Sequence, residues 1–482
     1  MSSVIDRVAA QTAVDGSALY VAGLQALRSG NAQEAAFLLT RALQRQPMHR
    51  GVRQNLVRAL LALEQHEQVL VHANAGLLEA PGDAELCFAR GTALNGLGQF
   101  ALACAAFARA LSLQPDHAPS WLNMGNASLD LDDLASAETL YRTAIRVDTT
   151  LPEAHASLGY LLTMQGRLPE AITACKTAIQ LKPQFPQAHW NLAIALLLSG
   201  DLPSGFAAYE WRKKHNAFVQ DLPDLPGPRW DGANLHGQTI LVRAEQGFGD
   251  AIQFARYLCV IRDGGGATIL SCAPPLVPLF QGIQGVRTVA SGDSVPAYDT
   301  WIDQMSLPGL FGTTLDTIPG AAGYLRADPF RVEAWRSRLP AGRKVGVAFA
   351  GNPRHSADRR RSIPLDLAAS LPAIAGISFV NLQHGGSARG LGLPDLTPWM
   401  IDYAETAALI ENLDLVITVD TSVAHLAGAM GKPVWIMLPF APDWRWLLNR
   451  CDSPWYRSAR LFRQPSAGDW TSVLSRVMQE LA

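Results

Sequence analysis

The sequence has few of the residues that build disulfide frameworks or metal sites. Its six cysteines are scattered over 482 residues. None forms a C-x-x-C pair, so neither a zinc site nor a disulfide framework is predicted. Charged residues make up 17% of the chain and the formal net charge is -2, which provides no overall attraction to nucleic acid or acidic lipid. We therefore expect a reducing compartment and no nucleic-acid partner.

Long apolar runs are missing as well. No uninterrupted apolar segment is long enough to span a bilayer, and the N-terminal segment lacks the basic-then-apolar pattern of a secretory signal. We expect a cytoplasmic protein without a membrane span. The apolar fraction of 48% is nevertheless ample for buried cores, and a length of 482 residues predicts two or three domains.

A period of 34 residues runs through the N-terminal part of the chain. Pro47, Pro81 and Pro115 are 34 residues apart, and Pro183 follows after two further periods. Small residues recur in three columns of the same register: Gly23, Gly91, Gly125 and Gly159; Ala35, Ala103, Ala137 and Ala171; Ala42, Ala110, Ala144 and Ala178. A bulky residue follows the second column by four positions, as Leu39, Phe107 and Tyr141.

This pattern predicts paired antiparallel helices. The small residues let two helices approach closely, the bulky residue fills the gap between repeats, and the proline ends the second helix. Period and chemistry are similar to those of the tetratricopeptide repeat, and we expect an α-solenoid of about six repeats over residues 1–219. Such an array presents a concave surface to a protein or peptide. A role as a spacer or dimerisation arm is the alternative.

The pattern changes after the repeats. Residues 220–237 are rich in proline and glycine and indicate a linker. Beyond them, short apolar runs alternate with helical patterns such as the one over 250–263, which is typical of βαβ units and parallel sheets. We expect two Rossmann-like halves, residues 238–335 and 336–482, that meet at a ligand-binding cleft.

The motif E-Q-G-F-G-D, residues 245–250, lies between a predicted strand and a predicted helix. Its glycines allow the backbone to approach a ligand closely. The dinucleotide fingerprint would need a third glycine near Ile252, so NAD binding is not favoured. Asp250 is either a general base in the cleft or a helix N-cap.

Two further motifs contain potential anion-binding groups. The loop over 350–365 carries Arg359, Arg360 and Arg361, which either neutralise a diphosphate or form a solvated basic surface. The second motif covers residues 419–434, V-D-T-S-V-A-H-L-A-G-A-M-G-K-P-V. It places hydroxyls and helix amides at a strand end, which favours an anion site. The alternative is a capped junction with a core histidine.

Trp444, Trp446 and Trp455 are interpreted as packing residues or as a platform for a sugar.

With these motifs in view, the last ~250 residues resemble the heptosyltransferase-like glycosyltransferases, which have the GT-B fold. The most specific match is the motif over 419–434, and G-F-G-D matches the Gly-Asp that follows the first strand in that family. The resemblance implies that Asp250 is the catalytic base of an inverting transfer. It also implies a phosphate-binding loop in which Arg361 lies three residues before Pro364.

The resemblance implies a nucleotide sugar as donor substrate and no cofactor. The α/β region contains no D-x-D motif, so we expect no metal. The residues expected to bind the nucleotide sugar are Gly249, Asn352, Arg360, Arg361, Gln383, Asp420, Thr421, Ser422 and His425.

The whole layout resembles bacterial proteins that join tetratricopeptide repeats to this glycosyltransferase domain, some of which modify flagellin or other proteins. We therefore expect the repeats to recruit a protein acceptor, flagellin or another bacterial protein. The alternatives are a scaffold with a silent glycosyltransferase-like domain and a sugar epimerase.

Overall fold

The computed structural model describes residues 15–215, 225–320, 322–353, 358–369, 374–383 and 392–481. The chain forms two compact units. The first comprises Met1–Leu162 and Thr173–Ala188, and the second comprises Thr163–Ile172 and His189–Ala482. The first unit consists of helical repeats, and the second contains the last repeat together with the α/β region.

Residues 15–215 fold into consecutive helices joined by short turns. These are α1 (Gly16–Arg28), α2 (Ala32–Arg45), α3 (Arg50–Ala62), α4 (His66–Glu79), α5 (Ala84–Gly96), α6 (Phe100–Leu113), α7 (Ala118–Asp130), α8 (Leu134–Val147), α9 (Pro152–Met164), α10 (Leu168–Leu181), α11 (Pro186–Ser199) and α12 (Leu202–Tyr209), followed by a 3-10 turn at Glu210–Lys214. Each helix from α1 to α8 packs against its neighbour in the chain. The side chains of Asn31, Asp83 and Asp133 cap helix starts by accepting a backbone N–H three residues on, which satisfies one otherwise unpaired amide.

A residue in the left-handed backbone conformation marks the turn inside each hairpin. These residues are Gly30, Glu64, Gly98, Asp132, Gly166 and Gly200, with φ between 56° and 91°. They follow the same period as the prolines. Glycine suits the position because it has no Cβ atom to clash. This column was not predicted from the sequence, because two of its members are not glycine.

The small-residue columns let paired helices approach as predicted. A Cβ atom on Gly91 would lie 2.6 Å from the Phe107 ring, and one on Gly125 would lie 2.6 Å from the Tyr141 ring. Both rings are fully buried. The predicted N-terminal helical array is therefore confirmed.

Replacing Gly91 with alanine should destabilise the first unit. Because the Phe107 ring has no exposed surface, the extra methyl group forces a shift that costs about 1–3 kcal/mol, which offsets the gain of about 1 kcal/mol in helix propensity. Gly82→Ala is the matched control, since no heavy atom lies within 4 Å of its added Cβ. Urea unfolding followed by circular dichroism should give a lower midpoint for Gly91→Ala alone. Equal midpoints would contradict the packing interpretation.

Two parallel sheets form the α/β region. The first has β1 (Thr239–Arg243), β2 (Ala267–Cys272), β3 (Val286–Ala290) and β4 (Thr300–Asp303) in the order β3-β2-β1-β4; the second has β5 (Arg343–Ala348), β6 (Ile377–Asn381), β7 (Leu415–Val419), β8 (Val434–Leu438) and β9 (Ala459–Arg463) in the order β6-β5-β7-β8-β9. The pairings among these nine strands are parallel; for example, Ile240 of β1 lies between Thr268 and Thr300. The predicted α/β region with two Rossmann-like sheets is confirmed. The edge strand β9 was not predicted, because arginines interrupt its short apolar run.

Helices lie between the strands. They are α13 (Phe248–Phe254), α14 (Arg256–Asp263), α15 (Val277–Phe280), α16 (Leu307–Leu310), α17 (Pro329–Arg336), α18 (Asp358–Arg361), α19 (Leu365–Ala368), α20 (Tyr403–Glu411), α21 (Ser422–Ala429) and α22 (Trp470–Leu481). The helix expected over 250–263 is two helices that meet at Ala255.

Residues 225–237, the described part of the expected linker, pack against the first sheet. The Trp230 amide donates to the Trp301 carbonyl at 2.8 Å, and the Trp301 amide donates to Pro228 O at 3.1 Å. Leu235 is buried. This segment therefore extends the first sheet beside β4, and the remaining residues 220–224 lie outside the described residues.

The helix α17 connects the two halves and packs on the second. Its Arg331 forms an ion pair with Glu405 of α20 at 2.6 Å, and the Trp335 indole N–H donates to the same carboxylate at 2.8 Å. The boundary expected between residues 335 and 336 falls inside this helix.

Candidate active site

A cavity of about 940 Å³ opens at the carboxyl ends of β1, β5 and β7, where parallel sheets commonly bind ligands. Its lining includes nine of the ten residues expected to form the site: Gly249, Asp250, Asn352, Arg361, Gln383, Asp420, Thr421, Ser422 and His425. They come from both Rossmann-like halves, and their backbones are positioned by strand ends and short helices.

Asp250 lies in the first turn of α13. Its Oδ2 accepts the Gly247 amide at 2.8 Å, so the side chain reaches back to the N-cap residue as in a capping box. Its Oδ1 accepts from Arg445 Nη2. Asp250 is thus not itself the N-cap; it supports the helix start and also lines the cavity.

Arg445 is a site residue that the sequence analysis missed. Its side chain is only 7% exposed, and Nη1 pairs with Asp443 at 2.9 Å. Its Nε donates to Gln253 Oε1. Burial opposes the charge, but Asp443 and Asp250 outweigh this and hold the pKa of Arg445 above its ordinary value. Arg445 lies between Trp444 and Trp446 in the sequence. Only these two tryptophans were interpreted, as packing residues or as a platform for a sugar.

The start of α21 presents hydroxyls and backbone amides to the cavity. Thr421 is the N-cap residue, and its hydroxyl lies 3.1 Å from that of Thr418. The Ser422 hydroxyl lies 2.6 Å from the Tyr403 hydroxyl. The first amides of a helix lack intrahelical partners and carry partial positive charge, so this end can bind an anion.

His425 lies one turn into α21 and is buried. Its Nδ1 shares a hydrogen bond with the Tyr456 hydroxyl at 2.9 Å, and its Nε2 is 3.8 Å from Asp420 Oδ1. Burial, with Arg445 and Arg256 nearby, holds the pKa of His425 well below its ordinary value, so the ring is neutral at neutral pH. Burial, reinforced by Asp443, raises the pKa of Asp420 to about 6.

Gly249 allows the two halves to meet at this point. A Cβ atom on Gly249 would lie 2.7 Å from His425 Cδ2, so any larger residue would push α13 away from α21. The glycine therefore brings the Asp250 turn close to the anion-binding turn.

The loop after β5 supplies Asn352 and Arg361. The Arg361 guanidinium lies over Gly351, where a Cβ atom would be 2.5 Å from Nη2, and its Nε is 3.3 Å from Asp358 Oδ1. Residues 354–357 of the predicted loop lie outside the described residues. Gln383 lines the cavity, but its amide oxygen accepts the amides of Phe349 and Ala350 and thereby braces this loop.

Arg360 is the exception among the expected residues, since it does not line the cavity. Its Nη1 instead lies 3.7 Å from Met164 Sδ. Consecutive residues of a helix point about 100° apart, so α18 directs Arg361 inward and Arg360 away. Of the two arginines expected to bind the donor, only Arg361 therefore lines the cavity.

Both parts of the chain match known protein families. Tetratricopeptide-repeat families match residues 26–86, 88–146 and 159–200, and glycosyltransferase family 9 (heptosyltransferase) matches residues 399–437. The helical repeats are thus of the tetratricopeptide type, and residues 399–437 of the α/β region are similar to heptosyltransferases. Protein FlbA of Caulobacter vibrioides is 28% identical over 466 residues, which cover 89% of this chain and 72% of that protein.

Solved structures of repeat proteins are similar to part of this chain. A thermophilic repeat protein of Thermus thermophilus is 23% identical, with a TM-score of 0.34, over 38% of this chain and 99% of its own. Pseudomonas aeruginosa pilF is 17% identical, with a TM-score of 0.37, over 42% of this chain and 92% of its own.

The family matches support a glycosyltransferase that carries a tetratricopeptide module. The heptosyltransferase match includes the turn from Asp420 to His425 but neither Asp250 nor Arg445. Within the described part of the chain, no helix has the length and apolar character to cross a membrane, and no three His, Cys, Asp or Glu side chains gather as metal ligands do.

The last tetratricopeptide repeat also contributes to the cavity. Trp190, Ile194 and Tyr209 line it together with Tyr403 of α20. Trp190 and Tyr209 were not predicted as site residues, because aromatic side chains in a repeat are expected to fill the core. The sixth repeat departs from the repeat pattern, with Ala193 and Gly205 in its small-residue columns, and this departure predicts that it docks on the α/β region.

Proposed function

We propose that this protein transfers a sugar from a nucleotide sugar to a hydroxyl group of a protein acceptor, with inversion at the anomeric carbon. One observation carries the proposal: Asp250 from the first half and the anion-binding groups around Arg361, Thr421 and Ser422 from the second half line a single cavity. A base and an anion site on opposite halves are what a direct displacement requires.

The donor diphosphate fits the second half of the cavity. The Arg361 guanidinium carries a positive charge and can donate paired hydrogen bonds to phosphate oxygens. The α21 amides after Thr421 supply further donors. These groups stabilise the negative charge that builds up on the departing nucleoside diphosphate. Asn352 adds a neutral amide to the same wall.

Asp250 accepts the proton in this reaction. The acceptor oxygen bonds to the anomeric carbon as the bond from that carbon to the diphosphate oxygen breaks, and the leaving group takes the bonding electrons. The hydroxyl proton passes to the Asp250 carboxylate. Arg445 and the Gly247 amide hold this carboxylate in place.

The tetratricopeptide repeats of the first unit recruit the acceptor in this proposal. Such repeats bind peptides and proteins along their surface. The acceptor is a protein, with flagellin as one candidate to test, and the site needs no cofactor besides the donor substrate.

The test is a thermal-shift panel of UDP-, GDP-, dTDP- and CMP-sugars on the wild type and on Arg361→Ala. One class of nucleotide should stabilise the wild type, by about 2.7 kcal/mol at a hundredfold excess over Kd, and Arg361→Ala should lose this stabilisation. Arg359→Ala is the matched control: this exposed arginine of the same short helix does not line the cavity. A folded wild type that no nucleotide stabilises contradicts the proposal, as does formation of an epimer from the donor alone.

A further inference from the structure

Two consecutive residues of the loop over 245–250 form hydrogen bonds with the last tetratricopeptide repeat. Glu245 forms a buried ion pair with Arg212, with oxygen–nitrogen distances of 2.5 and 3.1 Å. Gln246 Oε1 accepts the Tyr209 hydroxyl at 3.0 Å. The aromatic side chain of Phe206 additionally packs edge-on against Phe254 of α13.

Gln246 has a backbone conformation that glutamine rarely adopts. Its φ is +64°, in the left-handed region where a Cβ atom crowds the following carbonyl. Such a conformation persists only where the surrounding structure holds it. The Tyr209 hydroxyl provides a side-chain hydrogen bond to Gln246.

The conformation of Gln246 orients one hydrogen-bond donor to Asp250. The peptide that follows Gln246 carries the Gly247 amide, which donates to Asp250 Oδ2 at 2.8 Å. A relaxed Gln246 would rotate this amide away and leave the carboxylate held by Arg445 alone.

We infer that Tyr209 of the last tetratricopeptide repeat is a positioning residue for Asp250. Its hydroxyl holds Gln246 in the left-handed turn that aims the Asp250 carboxylate into the cavity. The last repeat is therefore a structural part of the catalytic site, in addition to the recruiting role of the other repeats. This inference rests on the proposed base role of Asp250.

The test compares Tyr209→Phe with the double variant Tyr209→Phe/Gln246→Gly. Tyr209→Phe should lower kcat by about tenfold, since small displacements of a catalytic group are costly, while KM for donor and acceptor changes little. Glycine adopts a positive φ without support, so Gln246→Gly in that background should restore most of kcat. The control is Tyr257→Phe, which removes a buried hydroxyl bonded to Thr313 at 2.7 Å and should leave kcat unchanged.

The outcomes are distinguishable. A kcat for Tyr209→Phe equal to that of Tyr257→Phe overturns the inference, and a loss that Gln246→Gly does not restore assigns the Tyr209 hydroxyl to direct substrate contact instead. Hydrogen exchange provides a readout independent of turnover: the peptide covering 245–250 should exchange faster in Tyr209→Phe than in Tyr257→Phe. If the wild type performs no transfer, the proposed function fails while the exchange comparison still tests the link from Tyr209 to the loop.

Discussion

Replacing Arg212 with methionine should lower the free energy of unfolding of the second unit by about 3–5 kcal/mol, because it leaves the Glu245 carboxylate buried without its cation. Both side chains of this pair are only 1% exposed. The Met305 amide, at 3.2 Å from Glu245 Oε1, is too weak a partner to replace a guanidinium. This is the largest effect on stability that we expect from any single substitution discussed above.

Tryptophan fluorescence during urea unfolding is the appropriate measurement. Every tryptophan except Trp121 lies in the second unit, so the signal reports on that unit. Two control variants separate the loss of a buried ion pair from the loss of an exposed one. Arg336→Ala breaks an exposed pair with Glu333 in the second unit and should cost less than about 1 kcal/mol. Arg212→Met/Glu245→Met removes both charges and should recover part of the loss. A single Arg212→Met variant as stable as Arg336→Ala would contradict this account.

Replacing Asp250 with asparagine should reduce transfer by about 10²- to 10⁴-fold while leaving donor binding intact. The size of the loss is that expected for removal of a general base. Asparagine keeps the volume of the side chain, and its amide oxygen can still accept the Gly247 amide. The donor-binding groups on the second half are unchanged, so the thermal shift with the nucleotide sugar should match that of the wild type.

Asp443→Asn is the matched control for this substitution. It removes the other carboxylate that pairs with Arg445, and hence a similar charge from the same network, without removing the proposed base. We expect a much smaller loss of transfer. Undiminished transfer by Asp250→Asn, or an equal loss in both variants, would assign the proton to another group.

Local sequence patterns predicted much of the fold. The 34-residue period identified the helical array because each repeat satisfies its own close contacts, such as Gly91 against Phe107. Short apolar runs predicted the parallel strands of the α/β region because strands covered on both faces, such as β8, consist largely of apolar residues. The strand β9 lacked this signal, since Arg460 and Arg463 interrupt it.

The candidate site was predictable where its residues are close in sequence. Asp420, Thr421, Ser422 and His425 occupy one strand end and one helical turn, so local geometry alone brings them together. Arg360 and Arg361 are adjacent, and the sequence could not show which of them points into the cavity. The start of the short helix α18 decides this.

The sequence by itself determined the repeat period, the two α/β blocks and the motifs that carry Asp250 and His425. Only the tertiary structure decided what surrounds Asp250. Arg445 is 195 residues away from it in the chain, and Tyr209 contacts its loop from the last repeat. Chain topology brings these groups together. Each residue adopts its secondary structure whether or not the contact forms, so no local sequence pattern specifies the contact. The physical reason is that the energy of such a contact comes from shared burial, which exists only after the core has formed.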